Sequence, residues 1–409
     1  MKQLLAYCLS IILCVSFTGC MENYLDLYPE DKITSASFPE NESDIKLLLN
    51  GVYAQLREKE VYNQGLFGFG ITDGATPNAF YWGTDEVFNK LGAGRLSSSD
   101  GGVVTYRWKR CYEIISRANY LLACMDLVDL SEEAKAKYSG ETHFLRGLAY
   151  SVLAETYGGV PIILTNISTE EARSLKRASL EETWQQALDD YEVAITNLGV
   201  DAPEPGRATK GAALGMKMRA YLYQGKYKEV LACVEQIDAL KKYGLFHSYE
   251  GLFDPANENN KEVLFDIQYI EGENSQGSYI DQYCGTGTGS WTRGSRYVPT
   301  DDLVAAYETI DGSPVDPENP YENRDPRLGF TAVLPGSYFL GYRFPNYLYP
   351  GGAFNHDGNR LKHLSTRKYR IQDESKLPPS GQSYINDIIL RYADVLLSKA
   401  EAIIETNGN

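Results

Sequence analysis

Apolar residues recur three and four positions apart over much of the chain, which puts them on one face of a helix. Ile45, Leu48, Leu49, Val52 and Leu56 define a first helix from Asp44, with Ser43 as its N-cap. A second helix is expected from Trp108 to Val128. A third runs from Glu141 to Tyr157, where Phe144, Leu145, Leu148 and Val152 form the stripe and Gly158, Gly159 and Pro161 end it. Trp184, Leu188, Tyr191 and Ile195 mark a fourth helix from Leu180 to Leu198. Thr209 to Gln224 and Tyr227 to Leu240 form a hairpin broken at Gly225. Its first helix carries Gly211, Ala212, Ala213 and Gly215, a thin face that lets a neighbour approach closely. The helical period returns late, from Asn386 to Glu405.

Two stretches lose this period. Residues 60–105 are rich in glycine, with Phe80-Tyr81-Trp82 at their centre. Residues 254–385 hold one short strand candidate, Val263 to Ile267, amid dense Pro and Gly, and are rich in aromatics from Tyr269 onward. Long ordered loops tend to carry function. The helix hairpin loosely matches a tetratricopeptide unit, which buries its apolar face by stacking on others. The expected fold is therefore mostly α, with tetratricopeptide-like helix pairs supporting a loop-rich, irregular region. Residues 44–253 would be the scaffold, 254–385 the aromatic loop region and 386–409 a return helix.

Composition narrows the function. A formal charge of -16 argues against nucleic acid, whose phosphates need a basic surface. Four scattered His give no basis for a His-built metal centre, and no cofactor is indicated. Residues 1–19 carry one charge, Lys2, and an apolar run from Leu4 to Phe17, too short for a spanning helix and right for an export signal. Phe17-Thr18-Gly19-Cys20 resembles a lipobox, with Phe where Leu is usual. Cys20 would then be lipidated, and residues 20–43 would form the anchored amino-terminal segment. Cys111 and Cys124 would lie about 20 Å apart along one helix, too far for a disulfide. With Cys233 and Cys284 they read as small buried hydrophobes.

Several blocks, each weak alone, occur together in one order: Cys20 to Pro29, Asn50-Gly51-Val52-Tyr53, Arg117-Ala118-Asn119, Glu141 to Gly147, Tyr157 to Pro161, Ala208-Thr209-Lys210, Arg324-Asp325-Pro326-Arg327 and Leu390 to Leu397. In this the chain resembles the SusD/RagB family of outer-membrane lipoproteins of Bacteroidota. The resemblance implies a cell-surface protein that binds glycans, or in some members peptides, and passes them to a TonB-dependent transporter of SusC type. It implies capture without catalysis. Members usually continue past the block at Leu390, so the chain is expected to be a fragment whose last helix pair is incomplete.

No HExxH, P-loop, GxSxG or EF-hand pattern is present. Gly285 to Ser290 reads as a turned loop and Asn355 to Asn359 as a solvated turn. Flat aromatics with polar neighbours suit sugar rings, whose C–H faces are apolar and whose rims are hydroxylated. Similar proteins draw an aromatic arc from the two loop regions. Trp82 and Trp291 are thus the leading candidates, then Tyr81, Tyr283 and Tyr297, with Asn78, Asp73 and Arg293 as hydrogen-bonding partners. Tyr338, Phe339, Tyr342, Phe344, Tyr347 and Tyr349 read as a packing cluster. A surface glycoside hydrolase on an α/α scaffold is the alternative from another class; its two carboxylates would have to flank the scissile bond.

Overall fold

The computed structural model describes residues 38–57, 73–81, 90–270, 277–278, 280, 297–339, 342–343, 355–356, 359–360, 364–369, 371, 373–379 and 382–407. Its scaffold is a succession of helices: α1 (Glu42–Ala54), α2 (Val103–Cys124), α3 (Glu132–Tyr157), the short α4 (Thr169–Ser174), α5 (Leu180–Asn197), α6 (Lys210–Tyr223) and α7 (Tyr227–Ala239). Each long helix packs on the next: α1 on α2, α2 on α3, α3 on α5, α5 on α6 and α6 on α7. Their inward stripes form one continuous core.

Polar signals decide the helix ends. Asn41, not Ser43, caps α1, in a reciprocal box with Asp44: Asp44 N donates to Asn41 Oδ1 (3.2 Å) and Asn41 N to Asp44 Oδ2 (3.3 Å). Helix α3 begins nine residues before the expected Glu141, because Ser131 caps it and Glu132 and Glu133 fill its first turn. Helix α4 buries no side chain and stands on its Ser168–Glu171 capping box, so no apolar period marks it. At the other end of α3, Arg177 donates to the carbonyls of Tyr157 and Gly159, both at 2.6 Å.

The glycines admit neighbours. A Cβ on Gly147 would stand 3.1 Å from Ala187, Asp190 and Tyr191 of α5. On α6, one on Gly215 would collide with Leu390 and one on Gly211 with Tyr243. Leu390 belongs to β10 (Asp387–Arg391), which pairs antiparallel with β2 (Val263–Ile267) across the thin face of α6. The final helix, α10 (Tyr392–Asn407), therefore starts six residues later than the apolar period suggests. Ile388, Ile389 and Leu390 extend into a ladder, since β2 supplies the backbone partners. Arg219 of α6 ties the junction, donating to the Ile389 carbonyl (3.1 Å) and to Asp394 (2.5 Å).

The loop-rich part carries short elements: β1 (Ala79–Tyr81), β3 (Tyr297–Pro299), α8 (Asp301–Ala306), α9 (Arg327–Thr331), β4 (Ala332–Val333), β5 (Tyr338–Phe339), β6 (Tyr342–Arg343), β7 (Asn355–His356), β8 (Asn359–Arg360) and β9 (Ser365–Thr366). Arg324 closes the end of α8, donating to the Val304 and Tyr307 carbonyls at 2.5 and 3.0 Å. Cys111, Cys124 and Cys233 are free and buried; Cys284 lies outside the described residues, as does Cys20. No described helix is long and apolar enough to cross a membrane.

Candidate functional site

The shared sequence blocks build the scaffold. Arg146 is buried and forks onto Asp190, with Nη2 to Oδ1 at 2.7 Å and Nε to Oδ2 at 3.1 Å, while its Nη1 donates to Asn119 Oδ1 (2.8 Å). Asn119 Nδ2 in turn donates to the Ile163 carbonyl (2.9 Å). Tyr53 donates to Glu141 Oε2 (2.8 Å) and accepts from the Ala208 amide (2.9 Å). Burial pushes both the Tyr53 hydroxyl and the Glu141 carboxyl up, with Tyr53 and Arg207 partly offsetting it at Glu141. The helix tyrosines follow the same logic. Tyr112 and Tyr150 bury their rings against the core and place their hydroxyls on the carbonyls of Pro161 (2.7 Å) and Ile163 (2.9 Å).

The two excursions meet. Strand β1, from the first, pairs antiparallel with β3, from the second, in the register Ala79 to Pro299, Phe80 to Val298 and Tyr81 to Tyr297. The Thr300 amide extends the join by donating to the Asn78 carbonyl (3.1 Å). Two sequence candidates, Tyr81 and Tyr297, are thus backbone partners although 216 residues separate them. Phe80 beside them is 45% exposed. Trp82, Tyr283, Trp291 and Arg293 lie outside the described residues.

Below the ladder lies a cavity of about 520 Å³, within the range of small-ligand sites. Its scaffold wall comprises Arg107 of α2, Ser151 and Glu155 of α3, Trp184 of α5, and Met216, Arg219 and Tyr223 of α6. Its loop wall comprises Asp73, Asn78, Ala79, Pro299, Leu303, Tyr249, Tyr307, Lys368 and Tyr369, and β10 supplies Asp387 to Ile389. Asp73 and Asn78, both anticipated from sequence, line this space. Asn78 is exposed and its side-chain amide bonds to no described residue, which leaves it free for a ligand. Burial raises the Asp73 carboxyl, and the nearby Lys368 draws it back.

The rest of the lining was not anticipated. Lys368 sits among rings, with its Nζ 4.2 Å from the Phe253 centroid, 5.0 Å from Tyr369 and 5.8 Å from Tyr249. Burial lowers its affinity for a proton. Tyr369 has φ 58, in the left-handed region that a bulky residue adopts only when its surroundings hold it there. Its ring meets Phe253 edge-on at 4.8 Å. Asp387 is pushed up to about 7 by burial and by the charges of Asp266 and Asp73. Trp184 reads in sequence as plain core. It is 5% exposed, and what it does expose faces the cavity. Apolar spacing shows that a residue is inward, not whether the space beyond it is filled.

Elsewhere the aromatic cluster divides. Tyr338 is 67% exposed and does not pack, a correction that follows from its place on the two-residue hairpin β5–β6, whose inward position Phe339 takes. Phe344, Tyr347 and Tyr349 lie outside the described residues, as do Gly285 to Ser290. Among the described residues no group of acids, His or Cys is arranged to hold a metal ion.

A stacked-helix scaffold that carries two loop excursions, joined by a strand pair over an aromatic-lined cavity, defines a ligand-binding class. The comparisons make it particular. Residues 23–222 match a SusD-like family model described as "Starch-binding associating with outer membrane", and residues 261–409 match the SusD family model. The chain belongs to the SusD/RagB family, a carbohydrate-binding family. A SusD-like protein of Formosa agariphila is 25% identical over all of this chain and 79% of its own length. The solved structure of a SusD-like carbohydrate-binding protein of Bacteroides fragilis is 27% identical, with TM-score 0.78 over 90% of this chain and 74% of that one. A laminarin-binding SusD-like protein shares the fold at TM-score 0.71 and 20% identity, over 89% of this chain and 80% of that one.

Proposed function

We propose that this protein captures oligosaccharides at the cell surface and delivers them to a TonB-dependent transporter in the outer membrane, held there by acyl chains on Cys20. The observation that carries this is the β1–β3 pairing. It joins two aromatic-bearing loop segments, remote in sequence, at the mouth of a cavity walled by Trp184, Tyr249 and Tyr307. Trp82 follows β1 directly, and Trp291 precedes β3. In this proposal they present flat faces to sugar rings, with Tyr81, Tyr283 and Tyr297 beside them and Asn78, Asp73 and Arg293 meeting the hydroxyls. The laminarin-binding neighbour supports a glycan as the ligand class. Acyl chains at about 0.8 kcal/mol per buried CH₂ hold such a protein permanently.

Capture without catalysis is the mechanism. The test pairs two measurements on the purified protein with a polysaccharide panel. Retarded migration in a glycan-laced native gel, without new reducing ends, is the expected outcome. Release of reducing ends would replace this function with hydrolysis, and free migration in every glycan would exclude glycan capture.

A further inference from the structure

Among the described residues, nothing neutralises one charge in the cavity. Arg107 is only 8% exposed, yet it makes no hydrogen bond or ion pair with any described residue, and its Nε is buried without a partner. Its neighbour one turn along α2, Arg110, is by contrast held by Gln55 and by Glu113, the latter at 2.6 Å. The cavity carboxylates Asp73, Glu155 and Asp387 all lie beyond ion-pair range of Arg107. Arg219, the other arginine in the lining, is already bound to Asp394. Burying an unpaired charge is costly, and an arginine cannot shed its proton to escape. A guanidinium left open toward a cavity of ligand size is matched by a planar or tetrahedral anion, which it grips through two parallel hydrogen bonds.

We infer that the cavity takes the acidic group of a saccharide, a uronate carboxylate or a sulfate ester, and that Arg107 is its anchor. The inference rests on the glycan-binding function and adds the charge of the ligand. Aromatic walls and hydroxyl-bonding groups at the mouth hold the ring, and Arg107 reads the anion below it. With a net negative charge on the whole body, an unpaired Arg107 offers an acidic glycan an attraction that the molecule as a whole does not.

The experiment is calorimetric titration with matched pairs: galacturonan against galactan oligosaccharides, glucuronoxylan against arabinoxylan, and carrageenan oligosaccharides against their desulfated forms. At least one acidic member is expected to bind about tenfold more tightly than its neutral partner. Added salt should shrink the gap, and the uronate and sulfate arms tell the two anions apart. Arg107→Gln should abolish the preference, while Arg107→Lys should retain part of it. Because the charge is unpaired without ligand, Arg107→Gln should also raise the melting temperature of the free protein, by about 2 °C. A merely structural arginine would lower it. Equal affinity within every pair, a preference that survives Arg107→Gln, or a variant that melts earlier overturns the inference alone. Failure to bind any saccharide overturns it together with the glycan function.

Discussion

Arg146, Asp190 and Asn119 show what the recognisable blocks of the chain do in the fold. Each falls within or against a recognisable block, and together they form a buried, fully hydrogen-bonded network between α2, α3 and α5. Removing one partner strands a charge in the core. Arg146→Ala should therefore cost about 3–5 kcal/mol in denaturant unfolding, whereas Arg173→Ala, in an exposed pair with Glu170, should change nothing measurable. A second residue-scale expectation concerns Asp387. Burial raises its carboxyl to about 7, so between its unfolded value near 4 and that point the folded state binds the extra proton. Stability is then full at low pH within this window and falls as pH rises through it. Melting temperature should drop from pH 5 to pH 8, and Asp387→Asn should remove part of the drop, worth on the order of 1–2 kcal/mol at pH 8. Equal slopes in both proteins would place the pH dependence elsewhere.

At the scale of elements, the helix stripes are legible because period 3.6 is a local property, and α5, α6 and α7 start and stop close to where their caps and glycines indicate. The misplaced ends have local reasons too. Polar first turns lengthen α3 without adding to its stripe, and the run from Asp387 to Arg391 becomes strand because β2 lies opposite, a non-local fact. The same holds for β1 and β3. Neither three-residue strand has a pattern of its own, and each exists because the other supplies its backbone partners. Phe80→Cys with Val298→Cys tests this join. Register partners lie within disulfide reach, so the pair should cross-link under mild oxidation and show as a loss of free thiol in non-reducing mass spectrometry. Persistence of both thiols would contradict the pairing.

For the molecule as a whole, sequence reaches the family, the scaffold and two residues of the cavity, Asp73 and Asn78. It does not reach Arg107, Lys368, Tyr369 or Asp387, which come from three separated parts of the chain and acquire meaning only when the loop region closes over the helices. Their unusual features, an unpaired guanidinium, a ring-bound ammonium, a left-handed tyrosine and a raised carboxyl, are products of burial and so invisible in a string of residues. The helix tyrosines and the loop aromatics likewise look alike in composition. Structure separates them by what the hydroxyl meets: Tyr112 and Tyr150 are consumed by backbone carbonyls of the scaffold. In the proposed function, the joined loops grip glycan through flat aromatic faces. Affinity electrophoresis of the protein and its Trp82→Ala, Trp291→Ala double variant, side by side in the glycan that retards the native chain most, tests it most directly. Stacking is worth several kcal/mol across two indoles, so the variant should migrate as if no glycan were present, with its helical circular dichroism unchanged. Undiminished retardation in the folded variant would contradict the claim.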